Sequence, residues 1–142
     1  MKSYFAIILS ILLFGFTTCE KDEKHVVNET GKLKGKIGIY EGNCMPSPGF
    51  PTCQPVPISA TVAITVPSEN FEMNLLIDSI VSEEDGSFEI NLPEGNYSLF
   101  IRDGAEFICD GWTCQSECFC SLFMIKNDST TFIKANIDHA VW

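Results

Sequence analysis

Arginine and histidine are nearly missing from this chain of 142 residues, which holds one Arg (Arg102) and two His (His25 and His139). That scarcity leaves few groups able to act as a base near neutral pH. The nearest thing to a catalytic pair is Asp138 beside His139, and neighbours on a strand face opposite ways. Positive charge is short as well: nine Lys and Arg stand against nineteen Asp and Glu, a net charge of −10 at pH 7. This balance excludes a nucleic-acid binder and a polybasic membrane patch. No segment holds a 3.6-residue period over a helical length, which excludes a helical bundle. No apolar run reaches the roughly 20 residues that a helical membrane span needs. No internal repeat is visible.

The longest apolar run, "YFAIILSILLFGF" from Tyr4 to Phe16, is thirteen residues long and follows Lys2. A cation before a short apolar stretch is the pattern of an export signal. Thr17, Thr18 and then Cys19 follow at once. Residues 1–18 with Cys19 resemble a bacterial lipoprotein signal peptide, although Phe16 stands where such signals usually carry Leu. The resemblance implies that the Cys19 thiol is acylated and becomes the new N-terminus. Removing residues 1–18 takes away Lys2 and no acid, so the net charge moves from −10 to −11. Residues 19–32 are polar and charged, too poor in apolar surface to fold, and are expected to form a lipid-anchored tether. Their opening "EKDE" resembles the tag that sends lipoproteins to the outside of the outer membrane. The expected location is the outer membrane with the domain at the cell surface; a periplasm-facing anchor is the second choice. The expected partner at this end is membrane lipid. Each buried methylene of an acyl chain contributes about 0.8 kcal/mol, and stable attachment needs more than one chain.

Beyond Cys19 there are six cysteines, an even number behind an export signal, which reads as a disulfide framework. Cys44 and Cys53 lie in "EGNCMPSPGFPTCQPVP", where prolines and glycines preclude regular structure. Cys109, Cys114, Cys118 and Cys120 lie in "CDGWTCQSECFC". The simplest arrangement bonds Cys44 to Cys53 and nests Cys114–Cys118 inside Cys109–Cys120, but spacing alone leaves the pairing open. Zinc is the competing use of four close cysteines. The spacing C-x4-C-x3-C-x-C departs from the separated C-x2-C pairs of structural zinc sites, so neither a metal nor another cofactor is expected. The bridges are expected to hold two loops in fixed shapes, for recognition or against proteases.

Between these loops the chain alternates with a period of two. In "EEDGSFEINLPEGNYSLFI", residues 83–101, Asp85-Gly86 is a turn signal. Phe88, Ile90 and Leu92 alternate with Ser87, Glu89 and Asn91, and after Pro93-Glu94-Gly95 Tyr97, Leu99 and Ile101 alternate with Ser98, Phe100 and Arg102. The spacing predicts a β-hairpin with one apolar face. Further strands are expected over 32–40, 58–66, 73–81, 119–125 and 131–137. The run at 73–81 is apolar on both sides and so is predicted to be central. Seven short strands separated by turn signals predict an all-β sandwich.

The segments "GKLKGKIG", "PVPISATVAI", "DGSFEINLPEGNYSLFI" and "ANIDHAVW" resemble, in this order, the carboxypeptidase regulatory-like domain, a transthyretin (prealbumin)-like fold. The resemblance covers residues 33–142 and implies a seven-stranded prealbumin-like β-sandwich, here with two disulfide-clamped loops added. It carries no catalytic residues. The enzymatic branch of that fold uses several histidines and a C-terminal Tyr-Arg-Gly-Ser, which this chain lacks. The expected function is therefore a non-catalytic surface module for binding or adhesion, with a glycan or a protein as partner. The binding candidates are Trp112 and Asp110 in the second cysteine loop and Phe50 in the first. The alternatives are a spacer or coat protein without a specific ligand and, further off, a transthyretin-like hydrolase.

Overall fold

The computed structural model describes residues 29–46, 48, 53–114 and 117–141, leaving out the side chains of 112–114. In chain order the first strands are β1 (Thr30–Asn43), β2 (Val56–Pro57), β3 (Thr61–Thr65), β4 (Leu76–Val81), β5 (Ser87–Pro93) and β6 (Gly95–Asp103). They are followed by β7 (Glu106–Ile108), β8 (Trp112–Cys114), β9 (Cys118–Cys120), β10 (Phe123–Ile125) and β11 (Thr130–Val141). One 3-10 turn, Met73–Leu75, is the only helical element among the described residues. No helix among them is long and apolar enough to cross a membrane.

Two sheets face each other. The first is built on β1, which runs parallel to β11 from Lys32↔Thr130 to Asn43↔Val141. Along its other edge β1 pairs antiparallel with β5, from Thr30↔Pro93 to Lys36↔Ser87, and then with β2 at Gly38 and Ile39. The second sheet has the order β10-β6-β3-β4, with β7 beside β10 on the same edge of β6. Strands β8 and β9 form a separate ribbon.

The period of two explains the core. Leu33 and Ile37 of β1, Phe88 and Leu92 of β5, and Ala135 and Ile137 of β11 point inward from the first sheet. Val62 and Ile64 of β3 meet them from the second sheet, with Tyr97, Leu99 and Ile101 of β6 and Phe123 and Ile125 of β10. Each large aliphatic or aromatic side chain buried here contributes about 1.5–3 kcal/mol. Two glycines permit the close approach. A Cβ on Gly35 would sit 2.3 Å from the Phe88 ring, and one on Gly86 would sit 2.2 Å from the Ile37 carbonyl oxygen. Gly86 also has φ +77, and its carbonyl accepts the Ile37 N–H at 2.9 Å, so the Asp85-Gly86 turn is bonded to the middle of β1.

The all-β sandwich follows the sequence expectation, but its details depart from it in four places. The described residues hold eleven strand segments in place of seven. Short ladders β2, β7 and β8 form inside the loops, and the run expected at 119–125 breaks into β9 and β10 at Ser121, where φ is 38. The expected hairpin over 87–101 is not a hairpin. Strand β5 pairs with β1, β6 pairs with β3, β7 and β10, and Pro93-Glu94-Gly95 carries the chain from one sheet to the other. The Tyr97 hydroxyl donates to the Pro93 carbonyl at 2.8 Å across that corner. An alternating pattern reports which side chains turn inward, and both a hairpin and a sheet-to-sheet corner satisfy it. Strand β4 is an edge strand, not a central one, and leaves Ile77 and Val81 exposed. Finally, β6 is buried on both faces: Ser98 and Phe100, which read as its polar side, are 0% and 2% exposed.

Candidate functional site

What buries the outer face of β6 is the second cysteine loop. Phe100, Ala63 and Cys120 form a second small core with Phe71, Leu76, Phe107 and Cys109 packed on it. Phe71 stacks on Phe107 with centroids 4.1 Å apart and meets Phe100 edge-on at 5.8 Å. Such ring pairs contribute about 0.5–1.5 kcal/mol beyond their burial. Cys109 and Cys120 are bonded to each other, and Cys120 is fully buried. Its N–H donates to the Ser68 carbonyl at 2.9 Å, which ties the loop to the segment after β3. The buried hydroxyls beneath are satisfied. Ser98 Oγ accepts the Ser68 N–H at 3.1 Å, and Thr65 Oγ1 lies 3.0 Å from Ser68 Oγ. Buried polar groups need such partners, since leaving one unpaired costs about 1–3 kcal/mol.

In the first cysteine loop Cys44 is bonded to Cys53. Cys118 is disulfide-bonded too, and the β8–β9 register sets Cys114 opposite it. Both closed loops are tied to the second half of β11. The Cys44 N–H donates to the Val141 carbonyl at 2.8 Å. From the second sheet, Asp103 at the end of β6 reaches His139 of β11, with Oδ2 2.7 Å from Nε2. The Asp110 carboxylate, just after Cys109, accepts a hydrogen bond from the backbone of Asn136. Asp110 remains exposed, but partial desolvation by its surroundings moves its carboxyl above the ordinary range; the charge of Asp138 adds to that shift, while the Asn136 bond opposes it.

Asp110 thus serves as an anchor between the second loop and β11. The Trp112 side chain, Phe50 and Cys19 lie outside the described residues. His139, read from sequence beside Asp138, finds its carboxylate partner 36 residues away in Asp103. Nothing in the residue order marks that pair. Both side chains keep substantial exposure, 46% and 31%. An imidazole held by a carboxylate is two-thirds of a nucleophilic triad, but no hydroxyl or thiol accompanies it among the described contacts. No group of three His, Cys, Asp or Glu side chains among the described residues is placed to hold a metal ion. Arg102, the single arginine, donates from Nε to the Gly104 carbonyl at 3.2 Å within its own turn.

A second feature is only half legible in the sequence: the alternation of β1 shows its lysines, but not their neighbours on β11. The outward face of β1 carries Lys32, Lys34 and Lys36, because Leu33, Gly35 and Ile37 turn inward. In the neighbouring strand Phe132 stands opposite Lys34, and Lys134 opposite Lys36. Glu89 of β5 bridges Lys32 and Lys34, and Asp85 lies 3.8 Å from Lys36. Hydrogen bonds from both lysines hold the Glu89 carboxyl below the ordinary range, and the Ser87 hydroxyl does the same for Asp85.

No family model and no curated protein matches this chain. Among solved structures, the Bacillus anthracis TIE protein is similar over 78% of this chain and 16% of its own, at 12% identity and a TM-score of 0.43. The minor pilin of the gram-positive pathogen Streptococcus agalactiae is similar over 78% of this chain and 44% of its own, at 11% identity and a TM-score of 0.44. The chain spans less than half the length of either, and likenesses this distant carry no argument about function.

Proposed function

We propose that this chain is a non-catalytic binding or adhesion module, held at the cell surface by acylated Cys19 and a tether that ends where β1 begins at Thr30, three residues earlier than the residue order suggests. The domain that follows is read as a carboxypeptidase regulatory-like sandwich. The observation that carries the binding reading is that both disulfide-closed loops are tied to the second half of β11, the first at Val141 and the second at Asn136. Two cross-linked loops on a rigid sandwich lose little entropy when a partner binds. The disulfides support export, since such bonds persist outside the reducing cytosol. Trp112 is the anchor of the proposed contact, Phe50 is the candidate from the first loop, and the partner is a glycan or a protein. Asp110 sets the loop's position.

The test is cross-linking on intact cells with wild type and Trp112→Ala. The reading expects one predominant cross-linked partner with wild type and its loss with Trp112→Ala, at unchanged thermal stability. The same partner yield from both proteins, or no partner at all, overturns it in favour of a spacer or coat protein. Mass spectrometry of the mature chain tests the anchor, which requires an acyl mass on Cys19.

A further inference from the structure

We infer that the outward face of β1 and β11 is a second binding surface, whose ligand is an acidic polysaccharide. The domain is strongly acidic, with sixteen Asp and Glu against six Lys and Arg over residues 29–142. Yet Lys32, Lys34, Lys36 and Lys134 are gathered on this one sheet face. Alternate residues on a strand lie about 6.6 Å apart, so the three lysines of β1 form a row about 13 Å long. Their ion-pair partners are two carboxylates, Glu89 and Asp85, and Glu83 lines the groove beside them, so four lysines face three acids. Lys134 makes no ion pair among the described residues. The face therefore keeps excess positive charge, and its exposed ion pairs are weak enough for a ligand anion to compete with them.

The chemistry around the lysines favours a sugar bearing a carboxylate over other anions. Such a ring needs a cation for its charge, hydrogen-bond acceptors for its hydroxyls and an apolar platform for its C–H face. Phe132 supplies the platform: it is 58% exposed and stands directly beside Lys34. A groove of about 400 Å³ runs past it, lined among others by Lys34, Lys36, Glu83, Ser87 and Glu89, so acceptors alternate with cations. Its volume lies within the range of small-ligand sites. A smaller hollow of about 140 Å³ between Lys36, Lys134, Asn136 and Pro57 continues the surface. Carboxylates within the patch disfavour a phosphate-dense partner such as a nucleic acid or an anionic bilayer. They are tolerated by a ligand that carries one charge among many hydroxyls. The four lysines and Phe132 lie outside both closed loops and Trp112 is not among them, so this reading is tested independently of the binding reading above.

The probe is an alginate oligosaccharide, a chain of uronic acids, titrated calorimetrically into the mature protein at low salt. Neutral dextran of equal length, polyglutamate and phosphatidylglycerol vesicles serve as comparisons. Alginate is expected to bind, dextran, polyglutamate and vesicles to bind at least tenfold more weakly or not at all, and added salt to weaken the complex. Lys134→Glu should weaken alginate binding tenfold or more, and Phe132→Ala severalfold. Both side chains are exposed, so melting curves should show intact folds. Trp112→Ala should leave alginate binding unchanged. The inference is overturned if alginate does not bind, if Lys134→Glu binds it as wild type does, or if Trp112→Ala abolishes binding. Equal binding of polyglutamate or of vesicles also overturns it, in favour of an acidic protein or a membrane surface.

Discussion

Removing the Cys109–Cys120 bridge should cost clearly more stability than removing Cys44–Cys53, although chain entropy treats them almost alike. The sequence separations are 11 and 9 residues. Loop-closure entropy depends on the logarithm of that length, so each bridge stabilises by about 3 kcal/mol on that account. Packing separates them. Cys120 is 0% exposed and sits against Phe100 and Ala63, with Cys109 packed on the same cluster. Cys44 and Cys53 belong to neither hydrophobic cluster. Truncating Cys109 and Cys120 to Ala leaves a void over the outer face of β6. Lost burial and the cavity add about 1–2 kcal/mol. The expected losses are therefore about 4–5 kcal/mol for Cys109→Ala/Cys120→Ala and about 3 kcal/mol for Cys44→Ala/Cys53→Ala. Urea unfolding followed by circular dichroism, under non-reducing conditions, gives both values from the midpoint and slope. A single domain commonly has about 5–15 kcal/mol in total, so the first variant approaches unfolding and the second does not. Equal losses, or a larger loss from the first loop, would refute the second core as a source of stability.

Three further outcomes follow from the geometry. Gly86→Ala should lower stability by about 2–4 kcal/mol, because a left-handed backbone and a clash with the Ile37 carbonyl act together. Gly104→Ala, with φ +59 and open space around it, should lose only about 1 kcal/mol in the same urea titration. Asp110→Asn should raise the melting temperature at pH 7. Partial desolvation of this exposed residue raises its carboxyl in the folded state, so its favourable contribution exists below the unfolded pKa and is lost as pH rises through the folded one; solvent keeps the gain small. Asn keeps an oxygen for the Asn136 N–H without the charge. The gain over wild type should vanish below about pH 4, and a lower melting temperature at pH 7 would contradict the assignment. His139→Ala should cost no more than about 1 kcal/mol, since its pair with Asp103 is exposed. Wild type and this variant should be equally inactive across hydrolase substrates; turnover that His139→Ala abolishes would end the non-catalytic reading.

Much of the scaffold is legible in the residue order. Leu33 and Ile37, Val62 and Ile64, and Leu99 and Ile101 turn inward as their alternation requires. The Asp85-Gly86 turn lies where its chemistry places it, with Gly86 at positive φ. These are local properties, since the pleat alternates side chains whatever partner the strand finds. The candidate site is far less legible. Asp110 reads as an exposed acid beside a tryptophan, and nothing in the residue order marks its link to the backbone of Asn136 in β11. His139 reads beside Asp138, yet its partner is Asp103.

The amino-acid order by itself determined that this chain folds into β-strands, which faces of most strands are apolar, and where the tight turns fall. The tertiary structure alone decided that β5 and β6 belong to opposite sheets, that β1 lies parallel to β11, and that a disulfide loop covers Phe100. It also brought Lys34, Lys36, Phe132 and Lys134 together from two strands about a hundred residues apart. Periodicity is written in neighbouring residues. Strand pairing is a competition among distant segments for shared burial and hydrogen bonds, and is settled only when the whole chain is folded.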